Sequence, residues 1–84
     1  MYYTYVLKSS VDGNFYVGYT KNLKLRFDEH KKGMVDSTKE RRPLELIYYE
    51  ACLDQRDATH REKYLKTYLG RQFLHNRLKS YLTG

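Results

Sequence analysis

Along the N-terminal part of the chain, apolar and aromatic side chains gather in two short runs, Tyr2 to Lys8 and Phe15 to Thr20, both rich in Tyr, Val and Phe. Between them Ser9-Ser10-Val11-Asp12-Gly13-Asn14 supplies Asp-Gly turn chemistry, so the pair predicts a β-hairpin. The period then lengthens. Asn22 stands as N-cap of a helix through about Lys32, with Leu23, Phe27 and Met34 on its apolar side and Gly33 ending it. Residues 35–43 read as a polar stretch closed by the only proline, which predicts a mobile, basic surface loop. Leu44 to Leu53, carrying Leu46, Ile47, Tyr48 and Tyr49, is the third strand candidate. Asp54 or Asp57 caps a second helix from about Gln55 to Leu69, with Gly70 at its C-terminus. A third helix follows on a Leu74, Leu78, Tyr81 and Leu82 stripe. The order ββαβαα predicts an α+β fold, a small three-stranded antiparallel sheet flanked by helices.

The 84 residues fit one domain, 1–84, and any activity must sit on a single small core. The lone Cys52 permits no internal disulfide and points to a reducing compartment. No apolar run reaches the roughly 18 residues of a membrane span, and the start lacks the charged and apolar regions of a signal peptide. The expectation is a cytoplasmic protein, taken as a monomer, with no membrane partner. Sixteen Lys and Arg against ten Asp and Glu give +6, which favours polyanionic partners, nucleic acid first. Such a charge also serves plain solubility. The ten tyrosines suit both base stacking and strand formation.

Some residues stand where their neighbours require an explanation. Ala58, Leu65 and Leu69 define the apolar stripe of the second helix, and Glu62 falls on it. A carboxylate turned inward must be paired or hold a cation, because burying it bare costs several kcal/mol. The competing reading is a surface Glu62 paired one turn on with Lys66, worth about 0.3–0.5 kcal/mol. Arg26 and His30 lie one turn apart on the first helix and can share a site, or stand as a solvated charge and a helix-end residue. Tyr16 and Gly18 share one face of the second strand, Phe15, Val17 and Tyr19 the other. A strand glycine marks a close approach, of a phosphate or of core packing. His60 and His75 lack companions, and no spacing matches a zinc site.

Thr4-Tyr5, then Tyr16-Val17-Gly18, Thr20, Asn22-Leu23, Arg26, His30 and the later Ala58 to Glu62 stretch together resemble the GIY-YIG endonuclease family. The likeness spans nearly the whole chain. It is greatest to small stand-alone bacterial proteins related to the nuclease domain of the UvrC excinuclease subunit. Tyr3-Thr4-Tyr5 stands where the family has Gly-Ile-Tyr and keeps only its last residue. The resemblance implies divalent-metal-dependent phosphodiester hydrolysis on a single Mg²⁺ or Mn²⁺ held by Glu62. Arg26 would steady the phosphate, His30 would assist a tyrosine or orient the nucleophile, and Tyr5 or Tyr16 would take the proton from water. A tyrosine of ordinary pKa near 10 must have it lowered by neighbouring cations to serve as a standing base. Gly18 and Asn76 are added as further candidate residues of the site.

Lys21, Lys24, Lys31, Lys32, Arg41 and Arg42 are the residues expected to track a nucleic-acid backbone, contacts that carry affinity without sequence information. The leading expectation is therefore a DNA endonuclease of low sequence specificity, used in repair or on structured DNA, with RNA left open. A catalytically silent nucleic-acid-binding module of the same fold is the alternative. A protein-interaction domain using exposed tyrosines is the third reading.

Overall fold

A computed structural model describes residues 1–84. The hairpin strands are β1, Tyr2–Ser9, and β2, Phe15–Thr20, and the third strand is β3, Leu44–Cys52. They form one antiparallel sheet in the order β2-β1-β3, so β1 is central and β2 is a free edge. The α+β architecture read from the pattern is the one observed.

Helix α1, Leu23–Lys31, begins where the Leu25 N–H donates to the Asn22 side chain at 3.0 Å. It ends in a Schellman turn. Gly33, at φ +76°, donates its N–H to the His30 carbonyl, and the Met34 N–H returns to Glu29. A side chain at Gly33 would also meet the Arg42 guanidinium that lies across it. Met34 points to solvent rather than sharing the apolar side of Leu23 and Phe27, because the left-handed residue has already turned the chain away.

The 35–43 segment is folded rather than a mobile loop. Thr38 is buried, Lys39–Arg41 form a short 3₁₀ turn, and the Ser9 hydroxyl donates to the Arg41 carbonyl at 2.7 Å. Polar composition concealed this, because the buried group here is a threonine hydroxyl and not an apolar side chain.

Beyond β3 the observed helices are shorter than the periodicity suggests. Helix α2, Gln55–Leu65, starts on the Asp54 cap, and α3, Tyr68–Arg77, starts on Thr67, whose hydroxyl accepts the Gly70 N–H at 3.1 Å. The second helix therefore stops four residues before Leu69. Gly70 is not its cap: it sits inside α3, where a Cβ would run into the Tyr64 carbonyl and the Leu65 Cα of α2. Leu69, placed on the stripe by extrapolation across this corner, is 63% exposed. The expected third helix breaks at Leu78, and α4, Lys79–Thr83, completes the chain.

Alternation along β1 sends residues to two cores. Val6 packs with Phe15, Leu65 and Leu74 beneath α2 and α3, while Tyr5 and Leu7 pack with Leu44, Leu23 and Phe27 beneath α1. The sheet is thus covered on both faces and open along β2.

Candidate active site

The largest cavity, about 910 Å³, wraps the exposed edge of β2 and draws residues from both faces of the sheet. Tyr5 of β1, Tyr16 of β2, Arg26 and His30 of α1, and Glu62 of α2 all line it. The hairpin register explains the first of these positions. Tyr5 lies directly opposite Gly18, and a Cβ at Gly18 would sit 2.5 Å from the Tyr5 hydroxyl. The close approach anticipated at this glycine is therefore the ring of Tyr5, and Gly18 also lines the cavity. Tyr5 is 3% exposed and held by its partners, so it cannot yield to an added methyl. Gly18→Ala is expected to displace the ring, cost roughly 1–3 kcal/mol of stability and lower any activity that uses Tyr5. Thermal denaturation and rate measured together check this; unchanged values of both would contradict it.

Tyr5, His30 and Thr38 form a buried chain of hydrogen bonds. The Tyr5 hydroxyl lies 2.9 Å from His30 Nε2, and His30 Nδ1 lies 2.7 Å from Thr38 Oγ1. His30 and Thr38 are only 4% and 2% exposed. Burial holds the His30 imidazole below its ordinary pKa of 6.5, and the nearby Arg26 cation reinforces this. The ring is therefore neutral at pH 7. Burial likewise pushes the Tyr5 phenol above 10.0, and the Arg26 guanidinium beside it only partly opposes the rise. Arg26 alone therefore does not supply the lowering that a standing phenolate base requires.

Tyr16 is held differently. Its hydroxyl donates to Asp12 Oδ2 at 2.8 Å, and Arg41 approaches the same oxygen at 3.4 Å. Asp12 is kept below its ordinary pKa by the Asn14 N–H first, with Tyr16, Ser9 and Arg41 adding to the effect. Its carboxylate is a poor proton acceptor.

Glu62 satisfies both readings of its position. It lines the cavity with its side chain 20% exposed, and it also meets Lys66 one turn on, at 3.4 Å. Arg26 pairs with Glu29 at 3.2 Å and still borders the cavity. No group of three or more His, Cys, Asp or Glu side chains is arranged to enclose an ion. The donor set is thus one carboxylate in a polar, open cavity, which fits Mg²⁺ or Mn²⁺, ions that keep several waters and take substrate phosphate oxygens. It does not fit zinc.

The cations of this cavity are Arg26, Lys66 and Arg71, and the last two were missed. Lys66 was legible as the residue one turn after Glu62; Arg71 carries no local signal, because the α2–α3 corner brings it in. None of the residues expected to track a backbone lines this cavity. Lys21 and Lys24 border a second one, Lys24 and Lys31 a third on the outer flank of α1, and Lys32 pairs with Asp28 at 2.8 Å. Arg41 is engaged with Asp12, and Arg42 donates to the Lys39 carbonyl at 2.9 Å. Asn76 is exposed on α3 and does not border the cavity.

Comparison with known proteins identifies the family and the fold. Residues 1–81 match the family model described as the GIY-YIG catalytic domain. UPF0213 proteins of Staphylococcus aureus, strains Mu50 and N315 among them, are 38% identical over 68 residues, 80% of this chain and 82% of theirs. The solution NMR structure of a UPF0213 protein from Bacillus halodurans superposes with a TM-score of 0.57 at 28% identity, over 90% of this chain and 84% of that one. No helix is long and apolar enough to cross a membrane. With the family match running over 81 residues and the same fold found in a solved relative, the chain belongs to the GIY-YIG family, an endonuclease superfamily.

Proposed function

We propose that the protein is a divalent-metal-dependent endonuclease that hydrolyses DNA phosphodiester bonds with little sequence preference, in repair or in processing structured DNA. The observation that carries this reading is the convergence of Tyr5, Tyr16, Arg26, His30 and Glu62, from four separate elements, on one cavity. Glu62 would hold the ion. When bound, the ion supplies Lewis-acid stabilisation of the phosphate and the leaving oxygen.

The rest is done by side chains. Arg26, Lys66 and Arg71 line the cavity and offer positive charge to the phosphate. His30 is taken in the tautomer whose Nδ1–H donates to the Thr38 oxygen, 2.7 Å away, while the Thr38 hydroxyl turns to the Val35 carbonyl at 3.5 Å. That tautomer leaves Nε2 free to accept the Tyr5 proton. Tyr5 then acts as a shuttle: it takes a proton from the attacking water while passing its own to His30, and no phenolate accumulates. Tyr16 is a weaker candidate, because its proton could pass only to a carboxylate, which on ordinary values costs about 3–4 kcal/mol more than passing it to an imidazole.

Two measurements follow. His30 must be neutral to accept the proton, so activity is expected to hold through pH 6.5 and fall only as pH drops through the lowered imidazole pKa. Thr38→Val removes the Nδ1–H acceptor and is expected to cost roughly tenfold in rate, while Thr38→Ser, which keeps the hydroxyl, restores it. Equal loss in both variants would assign Thr38 a packing role only. The activity itself is tested by nicking of supercoiled plasmid with Mg²⁺ or Mn²⁺. Nicking that stops with a chelator supports the proposal. Salt-sensitive binding without any nicking would favour the silent binding module instead.

A further inference from the structure

A second cavity, about 530 Å³, opens on the opposite flank of α1 between the helix and β3. Its walls are Tyr3, Tyr49, Leu23, Phe27 and Leu46, and Lys21 and Lys24 stand at its rim. The volume is in the range that takes a small organic ligand. Tyr3 and Tyr49 meet edge to face, 6.1 Å between centroids, and Tyr49 is 54% exposed, so ring surface is presented outward. No carboxylate lines the cavity. Neither rim lysine is in an ion pair; the nearest acidic residue of α1, Asp28, is taken by Lys32. Flat aromatic walls under two free ammonium groups complement a flat, weakly polar ring that carries an anion.

The position narrows the ligand further. Tyr3 and Tyr5 share one face of β1, so their Cα atoms lie about 7 Å apart. Arg26 and His30 look from α1 toward the first cavity, and Lys24 and Phe27 from its other flank toward the second. The first cavity is bordered by Tyr5 and Tyr19 and the second by Tyr3 and Lys21, each two residues away along the chain, so the two lie close enough for one chain of nucleotides to occupy both. Bases in a duplex are stacked on each other and have no free ring face, whereas an unpaired nucleotide has one.

From this we propose that the Tyr3–Tyr49 cavity is a nucleotide subsite, in which an unpaired base stacks on the tyrosines and its phosphate meets Lys21 and Lys24. The inference rests on the nucleic-acid reading of the neighbouring cavity and gives it a substrate class: nucleic acid with an unpaired arm beside the cleaved bond.

The test is binding measured by fluorescence anisotropy in chelator, where cleavage plays no part. The probes are a labelled single-stranded DNA, an RNA of the same sequence and a blunt DNA duplex. Tyr49→Ala is expected to weaken binding of a single strand about tenfold, and binding of the duplex by no more than about twofold. Tyr49→Phe keeps the ring and is expected to bind like the parent. Lys24→Ala is expected to reduce the log–log salt slope on the single strand by about 0.7. The relative affinity of the two single strands identifies which sugar the site prefers, and a selective loss on either one supports it. Equal loss on single strand and duplex, or no loss at all, overturns the subsite. Because Tyr49 is exposed and thermal denaturation reports the fold, a misfolded variant cannot imitate the selective result. If the parent binds single strands through Tyr49 but never cuts, the endonuclease assignment falls and the subsite stands; if it binds no nucleic acid, both fall.

Discussion

Glu62→Ala is expected to lower metal-dependent cleavage about a thousandfold or more while leaving nucleic-acid binding within a few-fold of the parent. The size follows from the donor set. Glu62 is the only carboxylate that lines the cavity, whose other charged residues are the cations Arg26, Lys66 and Arg71. Losing that ion forfeits several kcal/mol of charge stabilisation, and about 4 kcal/mol already corresponds to three decades in rate. Binding survives because Arg26, Lys66 and Arg71 remain, and removing a negative charge from among them favours an anion. Stability should hardly move, since the only ion pair lost is a 3.4 Å contact with a half-exposed Lys66. Single-turnover cleavage and anisotropy on the same preparation separate the two effects. Parallel loss of binding and cleavage would show that Glu62 organises the surface rather than the chemistry.

Tyr5→Phe is expected to cost about 10²–10⁴ in rate, and Tyr16→Phe markedly less. The two phenols are separated by what accepts their protons. Tyr5 faces a neutral imidazole fixed from behind by Thr38; Tyr16 faces Asp12, whose affinity for a proton is held low by four surrounding groups. Removing the Tyr5 hydroxyl also strands His30 Nε2 in a buried position, at a stability cost of roughly 1–3 kcal/mol. His30→Ala should match Tyr5→Phe in rate, and the double variant should be no slower than either alone, because both act in one proton path. A larger defect in Tyr16→Phe would transfer the base to Tyr16 and discard the shuttle.

Much of this cavity's lining is legible in the sequence. Alternation assigned Tyr16 and Gly18 to one face, the helical turn joined Arg26 to His30, and Glu62 stood out as an acid on an apolar stripe. What the chain does not display is the outcome of corners. Glu62 was read on a helix extended to Leu69, but Thr67 caps a new helix and Gly70 lets the two backbones touch, which is how Arg71 reaches the cavity. Thr38 was hidden within a polar segment, where nothing local reveals that one hydroxyl is buried against an imidazole. The basic residues expected to track a backbone all lie outside the cavity, and Lys32, Arg41 and Arg42 have partners of their own. Charge is easily counted in sequence, but its neutralisation is a property of the fold.

The tyrosine-rich surface gains a meaning from the same comparison. Tyr3, the departure from the family's first signature, leaves Tyr5 in place and forms a wall of the second cavity. The altered signature thus costs the candidate catalytic group nothing in position.

The most direct test of the central claim is cleavage of a labelled set of single-stranded, duplex and branched DNA with Mg²⁺ or Mn²⁺, run beside chelator and Glu62→Ala controls. The expected result is products that require the ion, vanish in the variant and are most abundant on substrates with an unpaired arm. Binding of every substrate with no product under either ion would contradict it.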